Sequence, residues 1–233
     1  MFEFKLQDLV EAQRIVSQLH IPSEFGVDDD LDMTDIEEQL EDIIDGDYFV
    51  SCGVSKAVII VDDLPFVIKI PFNGRWVWDY YSEVEDDEDE GERFFVEFTE
   101  ASDTFPSDYC ADERNKTWLI QNNGFGCFVP DMMYLCTVCG FDVYVQEKVV
   151  PCNENRKDMK PSAASLEKAK EGKYWDTIWA AIAIDMYGLE FFNKFLDWVR
   201  NNCRDMMLDL HKGNYGYDMS GRPVIFDVSG FRD

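Results

Sequence analysis

Two carboxylates and an amide near the end of the printed sequence have residue types and spacing suited to chemistry. Asp209 is followed five residues later by Asn214, and Asp227 ends the apolar run 223–226. Turn-forming residues occupy the segment 218–222 between them, so a β-hairpin would bring these side chains together. One acid could orient a hydroxyl nucleophile, and the other two side chains could supply oxygen ligands to the metal ion of a metal–nucleotide. The alternative is an ordinary hairpin with Asp, Asn and Gly at its turns.

The composition narrows the possible functions. The 233 residues fit one large domain or two small ones, and 48 acidic against 21 basic side chains leave a net charge of −27. A large nucleic-acid-binding surface is unexpected at this charge, whereas basic partners would be attracted. Mimicry of nucleic-acid charge is a further alternative. The first residues lack the pattern of a signal peptide and no apolar run approaches transmembrane length, so we expect reduced cysteines, no membrane contact and a cytoplasmic location.

Residue periodicity predicts the order of the elements that must position this chemistry. In the first half of the chain we expect a helix from Leu6 to about Leu19, a helix from Thr34 to Ile44, a hairpin of strands 56–61 and 66–70, and an irregular acidic segment at about 75–106. A helix from Asp108 to about Asn122 and a hairpin of strands 132–138 and 141–150 should follow. After a polar connection at 151–161 we expect two helices with apolar stripes and a last hairpin. This order predicts an α+β protein with an antiparallel sheet first and a helical part second.

Several other chemistries are poorly supported. Cys136 and Cys139 form one C-x-x-C without a second pair at zinc-finger spacing, and the two histidines, His20 and His211, are far apart in sequence. A hydrolase would have to use one of these histidines, and the G-x-S-x-G motif is absent from the sequence. The sequence also lacks a Walker A motif and a G-x-G-x-x-G motif.

Phosphoryl transfer fits the remaining signals better. The reaction needs an orienting acid, a metal and a cation that holds the phosphates. Lys69 interrupts an apolar strand; a lone lysine there more often faces solvent, but inside a cleft it could hold the α- and β-phosphates. Glu113, on the helix that follows, could pair with Lys69, and Glu97 and Glu100 are competing candidates for that pairing.

These residues resemble motifs of the protein kinase-like fold. The segment 209–214, Asp-Leu-His-Lys-Gly-Asn, is similar to the D-x-H-x-G-N loop of aminoglycoside and choline kinase-like phosphotransferases. Residues 226–230 resemble the metal-binding aspartate segment, 66–69 resembles V-A-I-K, and 51–58 resembles a degenerate glycine-rich loop. The compact size and the segment 108–113 most resemble small kinase-like proteins encoded by tailed bacteriophages, including a serine/threonine kinase. The kinase-like resemblance covers roughly residues 46 to 230.

The resemblance implies a fold, a reaction and a set of roles. The fold would be two-lobed: a helical extension at 1–45, an antiparallel-sheet N-lobe at 46–150 with the acidic insertion, and a truncated helical C-lobe at 151–233. The protein would be an ATP- and Mg²⁺-dependent phosphotransferase that modifies basic host proteins. In these implied roles Asp209 orients the acceptor hydroxyl, and Asn214 and Asp227 hold Mg²⁺. Lys69 holds the phosphates, and Glu113 fixes the position of Lys69. The loop that contains Gly53 and Val58 covers the nucleotide, and the main chain near Glu147 receives adenine.

The chain also departs from these motifs. Met207 stands where the family has a histidine, Ser51 and Lys56 replace two glycines of the loop, and only six residues follow Asp227. These departures, together with the acidic run 86–90, keep a second hypothesis open: a kinase-shaped acidic protein that binds and inhibits a basic or nucleic-acid-binding host protein. A third hypothesis is phosphorylation of a small molecule, which the D-x-H-x-G-N form of the loop favours.

Overall fold

The computed structural model describes residues 2–23, 25–26, 29–53, 55–72, 79–83, 93–97, 108–152, 160–202 and 213–228. These residues form six α-helices: α1 Leu6–Val16, α2 Asp29–Ile43, α3 Asp108–Ile120, α4 Ala163–Gly172, α5 Thr177–Tyr187 and α6 Leu189–Asn202. The strands are β1 Tyr48–Cys52, β2 Lys56–Val61, β3 Phe66–Pro71, β4 Asp79–Glu83, β5 Arg93–Glu97, β6 Met132–Val138, β7 Phe141–Glu147, β8 Val149–Pro151, β9 Tyr215–Asp218 and β10 Pro223–Ile225. Their pairings are antiparallel, which confirms the predicted α+β class. In the described ranges no helix is both long enough and apolar enough to cross a membrane.

The largest sheet has the strand order β1-β2-β3-β7-β6 and presents two different faces. Ile59 pairs with Ile68, which in turn pairs with Val145, so these three buried side chains lie side by side on one face. This face forms the first hydrophobic core together with the apolar sides of α1 and α2. Burying a side chain of this size contributes about 1.5–3 kcal/mol, so the face holds the sheet and the two N-terminal helices together.

The opposite face of the sheet carries charged groups. Side chains alternate along a strand, so Lys56 and Val58 of β2 share a face. The register places Val58 beside Lys69 of β3, and Lys69 beside Tyr144 of β7. Helix α3 contacts β3 and β6, and its Ile120 belongs to a second core. The charged face of the sheet is therefore covered by a helix that also reaches the other core.

The second hydrophobic core forms where α5 and α6 meet the small sheet β10-β9-β8. Asp176 caps α5 by accepting a hydrogen bond from the Trp179 amide at 2.9 Å. The buried indole of Trp179 donates to the Gly216 carbonyl at 2.9 Å, which ties α5 to β9. Phe128 stacks on Phe195 of α6 with ring centroids 4.1 Å apart. These contacts fix the β9–β10 hairpin, at whose open end the candidate site lies.

The structure confirms most predicted elements and corrects some. The first helix, the three hairpins and the helix that begins at Asp108 are present. The strand predicted for 141–150 is two strands, because β7 ends at Glu147 and β8 pairs with β9 in the small sheet. Thr34 lies inside α2 rather than at its start. The segment predicted to be irregular contains the β4–β5 hairpin, and α4 is a third helix where two were expected after residue 161. The acidic run 86–90 lies outside the described residues.

Candidate functional site

Lys69 is buried on the charged face of the sheet and carries an ion pair. The residue is 3% exposed, and its ammonium donates to Glu113 Oε1 at 2.6 Å. A lysine with this burial remains charged only when a partner compensates for the lost water. The predicted pairing of Lys69 with Glu113 is therefore present, and the solvent-facing alternative for Lys69 is wrong. The competing Glu100, and the side chain of Glu97, lie outside the described part of the chain.

Glu113 joins three segments of the chain. It lies on α3, is 1% exposed, and accepts hydrogen bonds from both Lys69 and Lys56, the latter at 3.1 Å to Oε2. Its Oε1 also accepts from the main-chain amide of Asp227 at 3.0 Å. One carboxylate therefore connects β2, β3 and the segment that follows β10. Charge-assisted hydrogen bonds of this kind are about twice as strong as neutral ones.

Lys56 is a site residue that the sequence interpretation missed. It begins β2, is 4% exposed, and donates to Glu113 and to Asp227 Oδ1. Burial alone would lower the pKa of Lys56, but the carboxylates of Asp227 and Glu113 raise it above its usual range, so the ammonium stays protonated. The predicted hairpin contained the necessary signal. Its register pairs Lys69 with Val58, and Lys56 lies two residues before Val58, so Lys56 and Lys69 share a face of the sheet.

The last hairpin places Asn214 opposite Phe226, the residue before Asp227. Tyr215 of β9 pairs with Ile225 of β10, and one position further the amide of Phe226 donates to the Asn214 carbonyl at 2.9 Å. Asn214 is buried, and the Asp227 side chain is 34% exposed. Asp227 has a φ of +54°, a left-handed conformation that Asp tolerates better than most residues. Asp209 and Met207 lie outside the described residues.

Asn214 and Asp227 have the right chemistry for Mg²⁺. This ion prefers oxygen ligands and usually takes only one or two carboxylates, with phosphate oxygens and water as its other ligands. Among the residues that the structure describes, no group of three or more His, Cys, Asp and Glu side chains could hold a metal by itself. The pair could hold the ion together with phosphate oxygens and water as the other ligands.

The predicted loop residues lie beside the charged face. The Gly53 amide donates to the Lys56 carbonyl at 2.9 Å, which closes the turn between β1 and β2. A Cβ added at Gly53 would come no closer than 3.7 Å to that carbonyl oxygen, so the turn itself does not demand glycine. Val58 pairs with Lys69 across the strands. The roles of Gly53 and Val58 toward a nucleotide stay predictions.

The carboxylate and the main chain of Glu147 make hydrogen bonds within the fold, and the role of this segment toward adenine stays a prediction. Its buried carboxylate accepts from Arg222 at 2.8 Å and from the Asp131 amide at 3.2 Å. Its own amide donates to the Asp131 carbonyl at 2.9 Å, and the Lys148 amide donates to the Pro65 carbonyl at 3.2 Å. Adenine could not use either amide without displacing a hydrogen bond of the fold. Burial raises the pKa of Glu147, and Arg222 opposes that rise.

Gln146, the residue before Glu147, presents an unsatisfied polar atom on the charged face. It is two residues beyond Tyr144, the β7 partner of Lys69, so the two side chains share this face. The side chain is buried, and its Oε1 finds no hydrogen-bond partner within the described residues. Buried polar atoms in proteins almost always have a partner. A donor group on a bound ligand would supply one, and the sequence interpretation did not single out this residue.

A buried thiol lies next to the same charges. Cys110 precedes Glu113 by one turn of α3 and is fully buried. Burial raises the pKa of the Cys110 thiol to about 12, although the nearby Lys56 lowers it in part. The thiol is therefore neutral and unreactive at physiological pH. The chemistry of the site rests on Lys56, Lys69, Glu113 and Asp227, which we call the lysine–carboxylate cluster.

Comparison with known proteins does not assign this chain to a family: no family model, curated protein or solved structure matches it.

Proposed function

We propose that the chain is an ATP- and Mg²⁺-dependent phosphotransferase with a protein kinase-like fold, a small serine/threonine protein kinase of phage type that acts on basic host proteins in the cytoplasm. The observation that carries this proposal is the buried ion pair between Lys69 and Glu113 at 2.6 Å. A lysine fixed on a strand by a helix glutamate is the arrangement that positions nucleotide phosphates in kinases. The two hydrophobic cores, with the cluster between their elements, are compatible with two lobes.

Each residue then has a defined task. Lys69 holds the α- and β-phosphates, and Glu113 fixes the direction of its ammonium. Asn214 and Asp227 would hold Mg²⁺, which neutralises charge on the phosphates. Asp209 would orient the acceptor hydroxyl and take its proton, while the hydroxyl oxygen forms a bond to the γ-phosphorus and the bond from that phosphorus to the ADP oxygen breaks. The unsatisfied Gln146 Oε1 could accept a hydrogen bond from the exocyclic amine of adenine.

A transfer assay tests this proposal. The protein is incubated with Mg²⁺ and γ-labelled ATP, with and without bacterial lysate, beside Lys69→Met and Asp227→Asn variants. Lys194→Met is the matched control, because Lys194 also pairs with a glutamate, at 2.8 Å, but on the exposed surface of α6. We expect label on proteins for the wild type and Lys194→Met, with a loss of at least about 100-fold in the other two variants. Equal labelling by Lys69→Met and wild type would refute the assignment.

One observation favours the second candidate function, an acidic protein that sequesters a basic partner. Helix α2 contains no basic residue in Asp29–Ile43, and Asp35, Glu38 and Asp42 lie exposed on it. Such a strip attracts positively charged surfaces at long range, more weakly as salt rises. Two results together would favour this function over phosphate transfer: the protein labels no other protein, and it captures basic proteins equally well with and without the Asp227→Asn substitution.

A further inference from the structure

The charges of the lysine–carboxylate cluster balance, and this poses a problem for a nucleotide site. Lys56 and Lys69 contribute two positive charges, and Glu113 and Asp227 contribute two negative charges. A cluster that is neutral overall has little attraction for a triphosphate. Either a metal or a rearrangement must provide the missing positive charge. The following inference rests on the proposed nucleotide site and explains where that charge comes from.

Lys56 occupies the carboxylate that the metal would need. Its ammonium donates to Asp227 Oδ1, and it is buried on the same face as Lys69. A divalent cation and an ammonium repel each other, so they cannot both lie against this oxygen without a large electrostatic cost. We propose that Lys56 is a second phosphate-binding lysine of the site, held on Asp227 until a divalent cation takes that carboxylate.

The geometry allows this exchange without a change of fold. The main chain at Lys56 is fixed by the hydrogen bond from the Gly53 amide and by the pairing of Ala57 with Ile70. The flexible four-carbon stem of Lys56 can still move its ammonium. When a divalent cation replaces that ammonium on Asp227, the cluster with its metal has a net charge of about +2, which suits an anionic phosphate group. Metal and nucleotide binding are then coupled through one lysine.

The first measurement is metal binding in the absence of nucleotide. Mn²⁺ is the probe, since it takes the same oxygen ligands as Mg²⁺ and its free form can be measured by electron paramagnetic resonance. Because the net charge of −27 creates surface sites for cations, the double variant Lys56→Met/Asp227→Asn measures that background. Above it, we expect the half-saturating Mn²⁺ concentration to fall at least about tenfold in Lys56→Met relative to wild type, which corresponds to about 1.4 kcal/mol.

Lys69→Met is the matched control. It removes the same charge from the same face, but the Lys69 ammonium contacts Glu113 and, within the described residues, not Asp227. We expect Lys69→Met to tighten Mn²⁺ binding clearly less than Lys56→Met does, because the loss of its charge does not free the Asp227 carboxylate. Equal Mn²⁺ binding by Lys56→Met and wild type would overturn the proposal, as would equal tightening in Lys69→Met. If Lys56→Met does not fold, Lys56→Gln replaces it, because Gln lacks the charge but keeps a hydrogen-bond donor for the carboxylates.

The second measurement is ATP affinity at saturating Mn²⁺. We expect Lys56→Met to bind ATP at least about tenfold more weakly than wild type, because one ammonium has been lost from the phosphates. Unchanged affinity would overturn the phosphate-binding role of Lys56. If the wild type binds ATP and Lys56→Met has the same Mn²⁺ and ATP affinities as the wild type, this inference is overturned and the proposed function is not. Wild-type protein that binds no ATP overturns the proposed function itself.

Discussion

Replacing Glu113 by Gln tests how much stability the buried charges provide. The substitution keeps the size of the side chain and one carbonyl acceptor, but it removes the negative charge. Lys56 retains its ion pair with Asp227, whereas Lys69 loses the carboxylate that compensates it. Both lysines stay buried, so the main effect is one uncompensated ammonium in the interior.

The burial of these groups sets the size of the effect. Lys69 is 3% exposed and Glu113 is 1% exposed, so solvent screens this pair little. Removing one partner of a buried ion pair costs about 3–5 kcal/mol. For a chain of this length, each kcal/mol lowers Tm by roughly 2–4 °C, so we expect Glu113→Gln to unfold roughly 6–20 °C earlier.

Thermal unfolding followed by circular dichroism, with urea titration as a second measure, would detect this change. Glu190→Gln is the matched control, because Glu190 pairs with Lys194 at 2.8 Å on the surface of α6. Exposed pairs contribute little, so this variant should unfold like the wild type. A Glu113→Gln protein as stable as Glu190→Gln would refute the claim that Glu113 holds two charged lysines in the interior.

Three further predictions concern the support of the site. Arg222 joins the carboxylates of Glu147 and Asp218, so Arg222→Met should destabilise the fold by about 3–5 kcal/mol in urea titration. A Cβ at Gly216 would lie 2.1 Å from the Val150 carbonyl oxygen, so Gly216→Ala should lower stability by at least about 1–3 kcal/mol. Burial opposes ionisation of Asp218, but hydrogen bonds from Ser220 and Arg222 hold its pKa below the usual range. The free energy of unfolding of the wild type should therefore fall as pH falls below about 4. Asp218→Asn should show a smaller decrease when unfolding is measured between pH 6 and 3.

The sequence predicts the hairpins well because their signals are local. β-branched residues on both sides of Asp62 and Asp63 define the β2–β3 hairpin, and its register follows from the turn. The β4–β5 hairpin was missed because acidic residues surround its short strands and hide their alternation. Helix α4 was missed because its buried stripe is thin: Ser165 and Ala169 are its buried residues. In both cases tertiary context outweighs a weak local pattern.

The charged contacts were predictable only in part. The pairing of Lys69 with Glu113 was predicted from the order of the residues that phosphoryl transfer needs, whereas Lys56 was treated as a replacement for a loop glycine. The pairing of Glu147 with Arg222 joins residues 75 apart in sequence, and nothing in the local pattern indicates it. Long-range ion pairs depend on how the two hydrophobic cores meet, which residue periodicity does not encode.

Equilibrium binding of ATP with Mg²⁺, measured by isothermal titration calorimetry, tests the central claim most directly. The lysine–carboxylate cluster predicts saturable binding at one site per chain in the wild type and in Lys194→Met. It predicts binding at least about tenfold weaker in Lys69→Met, because the ammonium that holds the phosphates is gone. Absence of binding in the wild type, or equal affinity in Lys69→Met, would contradict the assignment of this cluster as a nucleotide site.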